Sequence, residues 1–272
     1  MTDPDLILRF ARLMEKESEQ IPLLEAALMI AQTEYPRLGI PEQLRRFSDL
    51  ATQLTLGGSP SANIQALNHL LFEQEKLAGN EQEYDDPSNS FLNDVLDRKK
   101  GIPITLSVIY TEVGKLRGLP LMGVGLPGHF IVKYVAPEKE ILLDPFHQGA
   151  ILSLQDCARI LRSHFGAEAE LRAEHLIAAT PKQILARMLN NLKGSYFRRR
   201  NYPRVLTLVE MSLAIDPASR QDIHDRGMVY MLLNRHREAA ADLKAFLSLA
   251  PPDDPNLRSA QSMLHRIRSL MN

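Results

Sequence analysis

Residues 101–120 read GIPITLSVIYTEVGKLRGLP and run directly into LMGVGLPGHFIVKY at 121–134. In the first piece Leu106, Ile109, Val113 and Leu116 recur at three- and four-residue steps, which predicts a helix over 103–117 with one buried side. Pro103 suits the first turn, where the amide has no intrahelical partner, and Gly118 suits a left-handed stop. The second piece drives His129, preceded by Gly128, into the apolar run HFIVKYV. A second run, EILLD, ends at Asp144, and APEK between the two reads as a turn. If the short turn pairs these strands, His129 and Asp144 lie side by side, and a carboxylate can orient an imidazole. GAILS then leads to LQDCARILRSHFG, which Ser153 and Asp156 open as a capping box. The middle of the chain is therefore expected to be a helix packed on a small antiparallel sheet.

Both flanks read as helical, so the fold class is α+β and mostly helical. Before the core, IPLLEAALMIAQTEYP groups Leu24, Ala27 and Leu28, and IPEQLRRFSDLATQL groups Leu44, Phe47 and Leu54. NIQALNHLLFEQEKLAGN stacks Ile64, Leu67, Leu70 and Leu71 ahead of a Gly79-Asn80 stop. YDDPSNS, residues 84–90, is a loop in which Pro87 disfavours a helical Asp86. After the core the chain repeats. Asp216-Pro217 and Ala250-Pro251 lie 34 residues apart, and the same offset takes Tyr196 to Tyr230, Phe197 to Met231 and Leu213 to Leu247. Helix pairs at this period are the signature of tetratricopeptide repeats, in which each hairpin buries its apolar face against a copy. Two copies and a capping helix in PNLRSAQSMLHRIRSL account for the remainder. The expected parts are a helical N-terminal region at 1–87 packed with the core, the core at 88–179, and two repeats with a cap at 180–272.

Composition narrows the function classes. The 272-residue chain is 44% hydrophobic and 24% charged with a formal net charge of −1, which offers no global field for nucleic acid or an anionic membrane. Its one cysteine, Cys157, excludes an internal disulfide and fits a reducing compartment. No run approaches a membrane span, and MTDPDLILRFARLMEKE lacks the pattern of a secretory signal, so a cytoplasmic protein is expected. KGSYFRRRNYPR, from Lys193 to Arg204, mixes basic and aromatic residues, but the repeat register places it at a helix end and its turn. Tyr196 and Phe197 are expected to pack there, and nucleic-acid binding is not assigned. The glycines of GLPLMGVGLPGH open no helix, so they form no phosphate loop.

The elements G-I-P-I-T-L…R-G-L-P, P-G-H-F and L-L-D-P-F together resemble the transglutaminase-like core of papain-type folds. With YDDPSNSFLNDVLDRKKGIPI before them and the repeats after, the whole chain resembles bacterial SirB-type proteins. The resemblance implies a cysteine at the start of the core helix, a histidine general base and an aspartate that orients it. His129 and Asp144 match the last two roles, and the cysteine position falls on Pro103, which has no nucleophilic group. Thr105 lies about 200° around the helix from that position and Ser107 about 40° around but roughly 6 Å further along. Cys157 lies on its own helix, where a cysteine more often serves as a small hydrophobe.

The candidate site is thus a vestigial His129–Asp144 dyad, with Asp85, Asp86, Asn89, Thr105, Gly128 and His147 as further cleft candidates. Taken alone, His129 could be a structural histidine and Asp144 a turn residue. His129, Asp144 and His147 could in principle hold a metal with open positions, but neither histidine pair has a zinc spacing. Neither a metal nor a cofactor is assigned. The expectation is a regulatory or interaction protein that takes a protein or peptide partner on its repeats, with no membrane role. The alternative is an amidase, peptidase or acyl transferase that uses His129 with an unusual nucleophile or an activated water.

Overall fold

A computed structural model describes residues 4–271 and divides the chain into two compact units. One is continuous, Ser18–Met188; the other combines the N-terminal residues through Glu17 with Leu189 onward. The described residues form twelve α-helices and a four-stranded sheet, plus a two-residue parallel pairing.

In the continuous unit α2 (Leu23–Ala31), α3 (Ile40–Thr52), α4 (Pro60–Asn68) and α5 (Leu92–Arg98) precede the central helix α6 (Pro103–Lys115). Eleven of the 13 residues of α6 are buried, so it is a core helix wrapped on all sides rather than an amphipathic one. Leu116, expected on its buried face, lies just past the helix end and is half exposed. Three of the four buried hydroxyls of α6 are tied down, and the fourth, on Thr111, has no hydrogen-bond partner among the described residues. Ile102 N donates to Thr105 Oγ1, Thr105 Oγ1 donates to Asn89 O at 2.7 Å, Ser107 Oγ donates to Phe130 O at 3.3 Å, and Tyr110 OH donates to Asn68 Oδ1 at 2.9 Å. Gly114 admits the sheet, since a Cβ there would stand 2.2 Å from Leu121 Cδ1.

The sheet runs β3 (Leu121–Val124), β4 (Ile131–Val135), β5 (Glu140–Asp144), β6 (Ala150–Leu152), every neighbour antiparallel. The β4–β5 hairpin forms as the two apolar runs and the turn between them predict, with Val132 opposite Leu143, which leaves His129 and Asp144 at the same end. β3 and β6 extend a sheet that the sequence pattern had reduced to two runs. The helix α7 (Leu154–Phe165) follows, and its Ser153–Asp156 capping box is present in both directions at 2.8 and 3.2 Å. The stretch expected to run helically to Gly79 does not. α4 stops at Asn68, widens into a π turn over His69–Gln74, and gives way to β1 (Ala78–Gly79), which pairs in parallel with β2 (Lys100–Gly101). Asn68, at that change of pitch, bridges Tyr110 OH and Gly149 O.

In the discontinuous unit α1 (Pro4–Met14) buries Leu6, Phe10 and Met14 and packs on α9 (Tyr202–Ile215). The expected N-terminal region is thereby split, with its first helix on the repeats and the rest with the core. The repeats pair α8 (Pro181–Arg198) with α9 and α10 (Arg220–Leu232) with α11 (His236–Leu249), and α12 (Leu257–Met271) follows. Arg200 and Asn234, again 34 residues apart, both take left-handed turns at φ 56° and 59° and close the two hairpins alike. Tyr196, Tyr230, Val205 and Ala239 are buried at matching positions. Phe197, expected to pack, is instead 38% exposed and meets only the edge of Tyr202 at 5.7 Å.

Gly149 has φ 72°, and a Cβ there would lie 2.0 Å from Asn68 Oδ1. Gly149→Ala is expected to cost about 2 kcal/mol or more, from left-handed strain plus loss of the Asn68 bridge. Urea denaturation measures it, and a loss under about 0.5 kcal/mol would contradict the packing described.

Candidate functional site

Two chain segments converge at the open end of the β4–β5 hairpin. The turn before β4 is shaped by Gly128 at φ 79°, where a Cβ would strike His164 at 2.5 Å, and by His129 N donating to Leu126 O. Arg187 of α8 clamps the same turn, donating to Leu126 O at 3.1 Å and His129 O at 2.7 Å. After β5 the chain makes a short 3₁₀ turn over Pro145–His147, and Gln148 and Gly149 take left-handed conformations that bring Gly149 N back to Asp144 O at 2.8 Å.

This geometry places two imidazoles on one carboxylate oxygen. His129 Nε2 lies 2.9 Å and His147 Nδ1 2.7 Å from Asp144 Oδ2, while Phe146 N donates to Oδ1 at 3.0 Å. Asp144 is 1% exposed and His129 8%, whereas the His147 side chain is 57% exposed. Burial alone would raise the Asp144 pKa. The hydrogen bonds and charges of His129 and His147 outweigh it and hold the carboxyl below its ordinary value. An ionised carboxylate only accepts, so His129 Nε2 and His147 Nδ1 carry the protons. The ring nitrogen of His129 that does not face Asp144 is Nδ1, and no described side chain hydrogen-bonds to it.

The aromatic ring of Phe146 fixes both imidazoles, edge-on to His129 at 6.0 Å and to His147 at 5.2 Å, and Tyr84 meets its far side at 6.4 Å. Gly79 leaves room for that ring, since a Cβ there would come within 2.6 Å of it. Phe146 and Arg187 were not among the expected site residues. The D-P-F run contains Phe146, whereas nothing in the pattern around Arg187 singles it out.

The other expected residues are engaged elsewhere. Asn89 is fully buried, accepts from Asn80 Nδ2 at 3.0 Å and donates to Glu83 O at 2.7 Å, so it braces the loop ahead of α6. Asp86 accepts from Ser88 N and from Arg98 Nη2 at 3.0 and 2.8 Å, and Asp85 is exposed. The Thr105 and Ser107 hydroxyls are bound to backbone carbonyls as described. Cys157 packs among Val124, Leu126, Ile131 and Leu142, and burial, followed by the charges of Asp156 and Asp144, pushes its thiol up. None of the three contacts the His129 ring through a hydrogen bond.

The profile of the transglutaminase-like superfamily matches residues 40–190, more than half of the chain. The chain belongs to the transglutaminase-like superfamily. A tetratricopeptide-repeat profile matches residues 192–265 of this transglutaminase-like chain. A UPF0162 protein of Xylella fastidiosa (strain Temecula1) is 34% identical over 245 residues, covering 86% of each chain. A UPF0162 protein of Vibrio cholerae is 28% identical over 246 residues, covering 89% of this chain and 91% of that protein. Human F-box only protein 21 is 28% identical over 137 residues, which is 47% of this chain and 21% of that protein. The order of a transglutaminase-like core followed by repeats, shared with bacterial relatives along their length, is that of the SirB-type family.

Two outcomes follow from the ionisation states. Because the folded pKa of Asp144 is depressed, its contribution to stability is present above the unfolded value of about 3.9 and fades as pH falls through the lower folded value. The stability gap between wild type and Asp144→Asn, read by urea melts, should therefore be full at pH 6 and shrink below about pH 4. Cys157 should resist iodoacetamide in the native chain and react at least about a hundredfold faster once the chain is unfolded.

Proposed function

We propose that this is a non-catalytic regulatory or interaction protein of the cytoplasm, built on a transglutaminase-like core without its nucleophile. The observation that carries the reading is the start of α6. Registration on the family puts the nucleophile position at Pro103, a ring with neither an ionisable group nor an amide hydrogen. The hydroxyls nearest in sequence are consumed by backbone carbonyls, and the single thiol is held neutral in an apolar cluster. His129 is left as an oriented base beside no acidic side-chain proton.

Tetratricopeptide repeats generally mediate protein–protein contacts. Support for that use comes from a cavity of about 290 Å³ between α8, α9 and α10, walled by Phe197, Val205, Val209 and Met228 and edged by Lys193 and Asp225. An apolar floor with a charged rim suits one or two side chains of a peptide segment. Among the described residues no helix is long and apolar enough to cross a membrane.

The intact His129–Asp144 pair favours a second reading, in which His129 activates a water for amide or acyl chemistry. One series of variants separates the two. Wild type is expected to show neither turnover of amide and ester substrates nor a covalent adduct with an acyl probe. Pro103→Cys is expected to gain iodoacetamide labelling at pH 7 that falls about tenfold in Pro103→Cys/His129→Ala, as a thiolate loses its base. Wild-type turnover abolished by His129→Ala would overturn the non-catalytic reading.

A further inference from the structure

We propose that His129, Asp144 and His147 form a binding site for one divalent transition-metal cation of the zinc class. The proposal rests on the reading that no nucleophile acts on His129, and it gives that same site a ligand.

The starting point is a geometry. Asp144 is almost sealed from water, and its ion-pair partners among the described residues are the two imidazoles, with no lysine or arginine. A buried carboxylate without a cation is costly unless something replaces the lost solvation. One backbone amide serves Oδ1, and both rings converge on Oδ2. The donor atoms of all three residues lie within 4.8 Å of one another.

A cation about 2.0–2.2 Å from each donor needs them roughly 3–3.5 Å apart. The present nitrogen-to-oxygen spacings of 2.9 and 2.7 Å are hydrogen-bond lengths, so a cation requires each imidazole to move outward from Asp144 Oδ2 by a few tenths of an ångström. His147 can supply it, since it ends a three-residue turn and faces solvent, while Phe146 packs against both rings and restrains their tilt. Two imidazoles and one carboxylate suit zinc, cobalt or ferrous iron and leave coordination positions open toward the exposed side. In the bound form the ligating nitrogens, Nε2 of His129 and Nδ1 of His147, are unprotonated, and each ring keeps its proton on the other nitrogen. The spacing rules for zinc miss this set because the ligands come from two turns flanking a hairpin, not from one helix.

The test uses the tag-free full chain, stripped with a chelator and titrated with ZnCl₂ by calorimetry, and with CoCl₂ while the visible spectrum is recorded. The expected result is one ion per chain and a visible cobalt band. His147→Ala, or His147→Gln as a second exposed-site variant, should weaken zinc binding by more than the roughly 10–100-fold that loss of an outer-shell partner costs. His265→Ala, on an exposed face of α12, should leave it unchanged. A folded chain that takes up neither ion, or that binds zinc equally with and without His147, would overturn the site. Such a failure leaves the non-catalytic reading standing, whereas a His129-dependent acyl adduct sinks that reading whatever zinc does.

Discussion

A carboxylate removed from water governs the centre of this protein. The negative charge of Asp144 has to be met by donors, and the surrounding chain is bent to deliver them. The β4–β5 hairpin brings His129, the short turn after β5 brings Phe146 N and His147, and two left-handed residues return the backbone so that Gly149 N reaches the Asp144 carbonyl. Arg187 holds the opposite turn by its carbonyls, so the His129 ring is positioned from both its own backbone and its partner.

The same economy shapes α6. Thr105, Ser107 and Tyr110 spend their hydroxyls on pinning this buried helix to the loop before it, to the approach to β4 and to Asn68. Each of these bonds holds the core together, and the helix begins at a proline whose missing amide hydrogen leaves no donor unsatisfied in its first turn.

What could be read from the residues follows from how local the signal is. The helix over 103–115 is bounded by a proline and a following left-handed glycine, the strands β4 and β5 are short apolar runs flanking a turn, the capping box at Ser153 is a four-residue pattern, and the repeats declare themselves by their period. β3 was obscured because it is four residues long and contains Gly123, and β6 because it is a three-residue edge strand with exposed side chains. The π turn after Asn68 and the two-residue β1–β2 pairing depend on contacts far away in sequence. At the site, the His129–Asp144 pairing was legible from strand order. The three-residue step from Asp144 to His147 suggested that His147 could join them, but the distances were not legible, because they depend on the short turn over Pro145–His147.

The seating of α1 on α9 has a consequence for how the chain is made. α1 is made before residues 18–188 but belongs with repeats that are made after them, so that whole stretch is inserted between the two pieces of one unit. The inserted unit is contiguous and has all its partners before α9 exists. The apolar stripe of Leu6, Phe10 and Met14 must wait until about 200 further residues have been added before its berth is available. α1 is thus a keystone set only after α9 has been made, and its loss is felt in the repeats.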